Sequence, residues 1–186
     1  MVQKELVKNA ILSVLIALLG IIIYVSIRFK FSYAVGGVIA LLHDVAIMFS
    51  VFAIFRFEVS SMFIAAVLAI IGYSINDTIV SFDRIRENLA KEEWKKLTKE
   101  KFESICNRSI GETFTRTIYT TITTLLPVVV LIILGSSGIF NFNMAMLFGL
   151  IAGTYSSIFI ATMVFMAIEK RNLGKEEKVK KVYKDD

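Results

Sequence analysis

One carboxylic acid in this sequence stands where it is expensive to keep one. Residues 62–82 form a run fit to cross a bilayer, interrupted by Gly72-Tyr73-Ser74-Ile75-Asn76-Asp77-Thr78. An ionisable side chain at membrane depth costs at least about 2.5–3.5 kcal/mol at the centre, so such residues default to transport or proton chemistry. Asp77 falls about 7–8 Å from the middle of that run. A carboxyl whose surroundings alternate between dry and hydrated can load and release a proton, and Asn76 beside it offers an amide to the same path. The bland alternative is that Asp77 only ties helices together through Asn76 and Thr78. A second pair, His43-Asp44, lies ten residues in from Tyr33, close to mid-bilayer. Neighbouring residues of a helix point about 100° apart, so the two cannot share one face fully, and both could serve as interhelical ties. The third group is Thr113, Arg116, Thr117, Thr120, Thr121 and Thr124, whose steps of three and four draw one hydroxylated stripe along a helix. With Arg116 on it and Asp77 across the bundle, the stripe reads as the lining of a hydrated path. Threonines that return their hydrogen bonds to their own backbone, and an Arg116 that snorkels to the headgroups, are the competing readings.

The elements that must position these groups follow from composition. Of 186 residues 56% are hydrophobic and 20% charged, against roughly 45–50% and about 25% in soluble domains. Mean hydropathy is +0.70. A single cysteine, Cys106, excludes a disulfide scaffold, and a single histidine, His43, excludes His-rich zinc sites and HExxH proteases; neither metal nor cofactor is expected. About 20 mostly apolar residues cross a hydrocarbon core, and five stretches qualify: 7–27, 33–55, 62–82, 117–134 and 143–168. The chain is therefore read as an all-α membrane protein, a bundle of five transmembrane helices. The first stretch is too long for a signal-peptide core and lacks a cleavage site. Alternating crossings put 18 of the 21 Lys and Arg residues on one side, together with the carboxyl end, and leave Lys4, Lys8 and Arg56 on the other. Basic residues are retained in the cytoplasm, so the carboxyl end is inside and the amino end outside. Nothing in 2–9 would translocate that end, which makes the chain read as the later part of a longer protein.

The remaining segments are read from charge and size. In 84–112, Leu89, Trp94, Leu97, Phe102 and Ile105 recur among Lys and Glu at helical spacing, which predicts a cytoplasmic amphipathic helix near the headgroups. Acidic residues interleave with the basic ones, and nucleic acid is not expected as a partner. The charged tail 171–186 is predicted to lie in the cytoplasm, disordered or on the anionic leaflet. Gly149 and Gly153 form a GxxxG that invites close helix approach, with Ala145 and Ser156 or Ser157 continuing the face, and Gly72 is assigned to packing as well. Pro127 is expected to bend its span.

Four stretches carry a resemblance: ALLHDV at 40–45, IGYSINDTIVSFDRIREN at 71–88, GETFTRTIYTTITTLLP at 111–127 and GLIAGTYSSIFIA at 149–161. The chain resembles the membrane half of the SecF family of bacterial protein-export subunits, part of the resistance-nodulation-division superfamily, over nearly its whole length. The resemblance implies that the five spans are helices two to six of a six-helix subunit, without its first helix and periplasmic domain. It further implies a twelve-helix bundle with SecD that uses the proton gradient to draw preproteins out of SecYEG, with YajC as a further partner, in the bacterial inner membrane. The family's proton-path acid and arginine fall on Asp77 and Arg116, and its HD pair on His43 and Asp44. Thr115 departs mildly from the family pattern.

Other classes are weighed beside this one. A scaffold subunit would use the buried polar groups only as ties. A small-molecule or lipid exporter of the same superfamily is compatible with the architecture. An intramembrane aspartyl protease fits poorly, because neither Asp44 nor Asp77 stands in a GxGD context.

Overall fold

The computed structural model describes residues 2–28, 31–92 and 97–173. Their elements are α1 (Val2–Arg28), α2 (Phe31–Phe55), α3 (Ser61–Ala90), α4 (Lys99–Leu134), α5 (Ser137–Tyr155), a π turn (Ser156–Ile160) and α6 (Ala161–Leu173). In hydrocarbon an unbroken helix is the one open-chain form that satisfies its own backbone; α4 runs on through Pro127, whose missing N–H leaves the Thr123 carbonyl without its helical donor. The backbone on both sides of the π turn is right-handed helical, so α5, the turn and α6 make one rod. That rod (Ser137–Arg171), α2, α3 and α4 are each long and apolar enough to cross a membrane. The protein is an all-α, multi-pass membrane protein. The apolar part of α1, Leu12–Ile27, is shorter than these four, and a fifth crossing rests on the sequence at 7–27.

Local chemistry sets the ends. Phe57 N–H donates to the Phe52 carbonyl at 3.0 Å, the wide closing bond of a helix that ends on a left-handed residue, here Arg56 with φ 55°. Thr98 caps α4 by accepting from the Lys101 amide at 3.2 Å, with Glu100 in the first turn to oppose the helix dipole.

The amphipathic segment 84–112 is not a separate helix on the headgroups. α3 continues through Ala90 and α4 begins at Lys99, so the segment is divided between the projecting ends of two long rods. At about 1.5 Å per residue these rods outrun a roughly 30 Å hydrocarbon core. The reason is where the apolar residues point: Leu89, Phe102 and Cys106 are buried with Phe82, Ile85, Ala161 and Phe165 in a protein core, with Leu97 and Ile105 packed against it. Trp94 lies outside the described residues, as does the tail beyond Leu173. At this charged end Ser32 Oγ donates to Glu169 at 2.9 Å, and Lys170 pairs with Glu103.

A second core at the opposite end joins Leu41, Met48, Phe52, Phe63, Ile70, Val128 and Leu150. Between the two cores lies a buried polar layer. Small residues close the packing. A Cβ on Gly149 would stand 2.5 Å from Ile70 Cγ1, and one on Gly36 would stand 2.6 Å from the Ala161 carbonyl oxygen. Gly72 differs: nothing among the described residues lies within 4 Å of where its Cβ would be. Gly149→Val should therefore lower stability by about 1–3 kcal/mol through overpacking, read as a fall in Tm in detergent, whereas Gly72→Ala should leave the Tm of the isolated chain unchanged.

Candidate functional site

The polar layer is assembled by α2, α3, α4 and the π turn. Asp44, at 0% exposure, is as deeply buried as any apolar core residue. Ser74 Oγ donates to its Oδ2 at 2.6 Å, and His43 Nδ1 lies 3.2 Å from its Oδ1. Gly153 makes room for this, since a Cβ there would stand 3.2 Å from Ser74 Cβ and 3.6 Å from Asp44 Oδ2. Beyond Ser74 the hydroxyls continue. Thr78 Oγ1 donates to Ser157 Oγ at 3.0 Å, Ser157 Oγ donates to the Ser74 carbonyl at 3.1 Å, and the Ser74 and Ser157 hydroxyl oxygens stand 3.4 Å apart. Ser156 lies beside Asp44, and its hydroxyl donates to the Gly153 carbonyl at 3.2 Å.

The π turn explains how two successive serines both reach the interior. An extra residue in one turn rotates the register, and such bulges recur at functional sites; Ser156 and Ser157 are each fully buried. Read as a plain helix, GTYSS promised only small packing residues. The alternation of hydroxyls at Ser74 and Thr78 with those at 156–157 was the available signal.

Asp77 sits one turn along α3 from Ser74. It is 6% exposed, and its Oδ2 has no hydrogen-bond partner, an arrangement that folded proteins keep rare because the desolvation cost goes uncompensated. Arg116, the cation of the neighbouring α4, makes no hydrogen bond with it. Arg116 and Asn76 are both exposed, and no hydrogen bond joins Asn76 to Asp77. His43, with 30% of its side chain exposed, lies at the edge of the layer beside the Tyr155 ring.

The threonine stripe divides in two. Thr113, Thr117 and Thr121 are buried, and Thr121 reaches Thr154 at 2.7 Å, while Thr120 and Thr124 are half-buried. The hydroxyls of Thr120, Thr121 and Thr124 donate to their own helix carbonyls at 2.8–3.1 Å. For Thr120 and Thr124 the protons are thus spent on the backbone and the lone pairs remain free, whereas Thr121 faces Thr154 in the interior.

At the charged end an open cleft of about 320 Å³ is lined by Val80, Asp83, Arg84, Glu87, Glu112, Thr113 and Arg116. Its floor is tied across α3 and α4 by Glu112, which accepts from Arg84 Nε at 2.6 Å, Asn88 Nδ2 at 2.9 Å and Arg108 Nε at 2.9 Å. These bonds, from Asn88, Arg84 and Arg108, hold the Glu112 carboxyl down at about 2, from an ordinary 4.5. A carboxyl depressed on folding adds stability that is present above its ordinary value and lost as pH falls toward the depressed one. Hydrogen exchange at the adjoining ends of α3 and α4 should therefore quicken between about pH 4.5 and 2 in the wild type, and Glu112→Gln should remove that dependence.

Comparison with known proteins agrees with this architecture. The family described as protein export membrane protein SecD/SecF, C-terminal, matches residues 1–171. The chain is 49% identical to the protein translocase subunit SecDF of Bacillus subtilis over 94% of its own length and 24% of that protein. It is 44% identical to the subunit SecF of Alicyclobacillus acidocaldarius over 94% of its own length and 56% of the relative. The chain thus spans a little over half of that SecF relative. A crystal structure of SecDF from Thermus thermophilus superposes with a TM-score of 0.80 at 41% identity, covering 87% of this chain and 22% of that one. SecDF in a super-membrane-facing form gives 0.81 at 40% identity over 94% of this chain and 23% of that one.

Proposed function

Because this chain belongs to the SecD/SecF family of protein-export membrane proteins, we propose that it supplies one half of a proton-driven helix bundle in a Sec translocase, with Asp77 as the group that carries the proton. The observation that supports this most directly is the Asp77 carboxyl, buried within a candidate span with Oδ2 unpartnered. A carboxyl left without fixed bonds is free to exchange its proton with water that reaches it, and Arg116 on the neighbouring helix favours the ionised form whenever it approaches. Thr117, Thr120 and Thr124 offer lone pairs to such water. The cleft at the charged end is the aqueous mouth of the path.

The partner is SecD. Asn76 on α3 and Thr123 on α4 are exposed at the outer surface of this bundle, and polar groups facing hydrocarbon are costly unless another helix covers them. In the complete complex the work would be done on preproteins leaving SecYEG, with YajC associated. The distribution of Lys and Arg supports a bacterial inner-membrane orientation with the carboxyl end cytoplasmic.

A carboxyl-terminal tag on the native subunit, extraction in mild detergent and mass spectrometry of what co-purifies tests the pairing. A SecD-like partner at matched amount is the expected result. Recovery of the chain alone would overturn the pairing and favour a free-standing exporter.

A further inference from the structure

The path through Asp77 leaves the most deeply buried acid among the described residues unused. Asp44 is fully buried and touches one titratable group, His43 on its own helix. The elements packed against it present Ser74 from α3, Ser156 from the π turn and the bare backbone of Gly153 from α5. A carboxylate is an acceptor only, whereas a protonated carboxyl also donates one bond, and the hydroxyls around Asp44 are arranged to accommodate either form. We propose that Asp44 is a second proton-binding site of the bundle, and that the Ser74, Ser157 and Thr78 hydroxyls pass its protonation state to α3, the helix that carries Asp77.

The hydrogen bonds balance in both states. With Asp44 ionised, Ser74 Oγ–H donates to Oδ2, Thr78 donates to Ser157 and Ser157 donates to the Ser74 carbonyl. When a proton from water binds Oδ2, the new O–H donates to Ser74 Oγ, and the Ser74 hydrogen turns to Ser157 Oγ, now 3.4 Å away. Ser157 keeps a second lone pair for it, because a hydroxyl accepts two bonds while donating one. No polar atom is stranded. The only bond made is the carboxyl O–H, and it breaks again when the proton returns to water. Closing the Ser74–Ser157 gap draws α3 against the π turn, one helical turn from Asp77. Ser157 is a positioning residue in this scheme and Asp44 the proton-binding one.

The inference rests on the proton-driven reading above, and its test separates the two. The complete subunit, paired with its partner in proteoliposomes, is taken through a pH step and followed by difference infrared spectroscopy in the protonated-carboxyl region. A band lost in Asp44→Asn, shifted in frequency in Ser157→Ala and returned to its wild-type position in Ser157→Thr is expected, with co-purification of the partner confirming assembly of each variant. A spectrum in which Asp44→Asn removes no carboxyl band, or in which Ser157→Ala leaves that band unmoved, overturns the proposal. Asp77→Asn should keep the Asp44 band. If that variant also exports normally under a proton gradient, the role given to Asp77 fails while the result for Asp44 stands.

Discussion

Asp77→Asn in the complete subunit is expected to reduce gradient-driven export to the level seen without a gradient, while the complex still assembles. Asparagine matches the carboxyl in shape and cannot take up a proton at the same atom. The loss should be confined to function because Asp77 makes no hydrogen bond that the substitution would break, and its Oδ2 is already unpartnered. A side chain without fixed bonds contributes little to the fold, so the change in stability should stay below about 1 kcal/mol, the net worth of a typical hydrogen bond. The measurement is preprotein transport into inverted membrane vesicles with and without an imposed gradient, beside a thermal melt. Normal gradient-dependent transport by the variant would sink the role proposed for Asp77.

The second large effect is expected at Arg116. It is exposed on α4 and lines the open cleft, and its proposed action on Asp77 is through charge. Arg116→Met removes that charge and should lower proton flux as far as Asp77→Asn does. Arg116→Lys keeps the charge as a compact, strongly hydrated ammonium and loses the planar fork, and should retain part of the flux. The pattern distinguishes a charge that tunes Asp77 from an arginine that merely reaches the headgroups. Equal flux through wild type, Arg116→Lys and Arg116→Met would leave Arg116 with no direct part. Neither variant should change Tm much, since exposed side chains away from special features stay within about 0.5 kcal/mol.

How much of the site could be read beforehand differs from residue to residue. Asp44 and Asp77 declared themselves because a charge in an apolar run is improbable on hydropathy alone. Their ranking did not follow from that signal. Both are acids in candidate spans, and only the packing reveals that Asp44 is enclosed by hydroxyls while Asp77 Oδ2 has none. Ser157 was named only as a packing residue, because its exposure to the interior depends on a π turn that no single-residue propensity announces. Gly149 and Gly153 were legible as a spacing, and their partners, Ile70 on one side and Ser74 with Asp44 on the other, were not. Gly72, of the same residue type and in a similar run, faces open space.

The amphipathic segment is the clearest divergence. Its helical periodicity in Leu89, Phe102 and Ile105 is real, but periodicity states that one face is apolar and not what that face meets. A bilayer surface and a protein core satisfy the same pattern, and the contacts with Phe82, Ile85 and Phe165 decide for the core. The sequence by itself determined the membrane class, the all-helical fold, the charged end and the two acids, because these depend on transfer energies that each residue carries with it. Only the tertiary structure decided which hydroxyls meet which acid, which glycines are crowded and which polar face lies open, because those depend on how separate helices are rotated and set against one another.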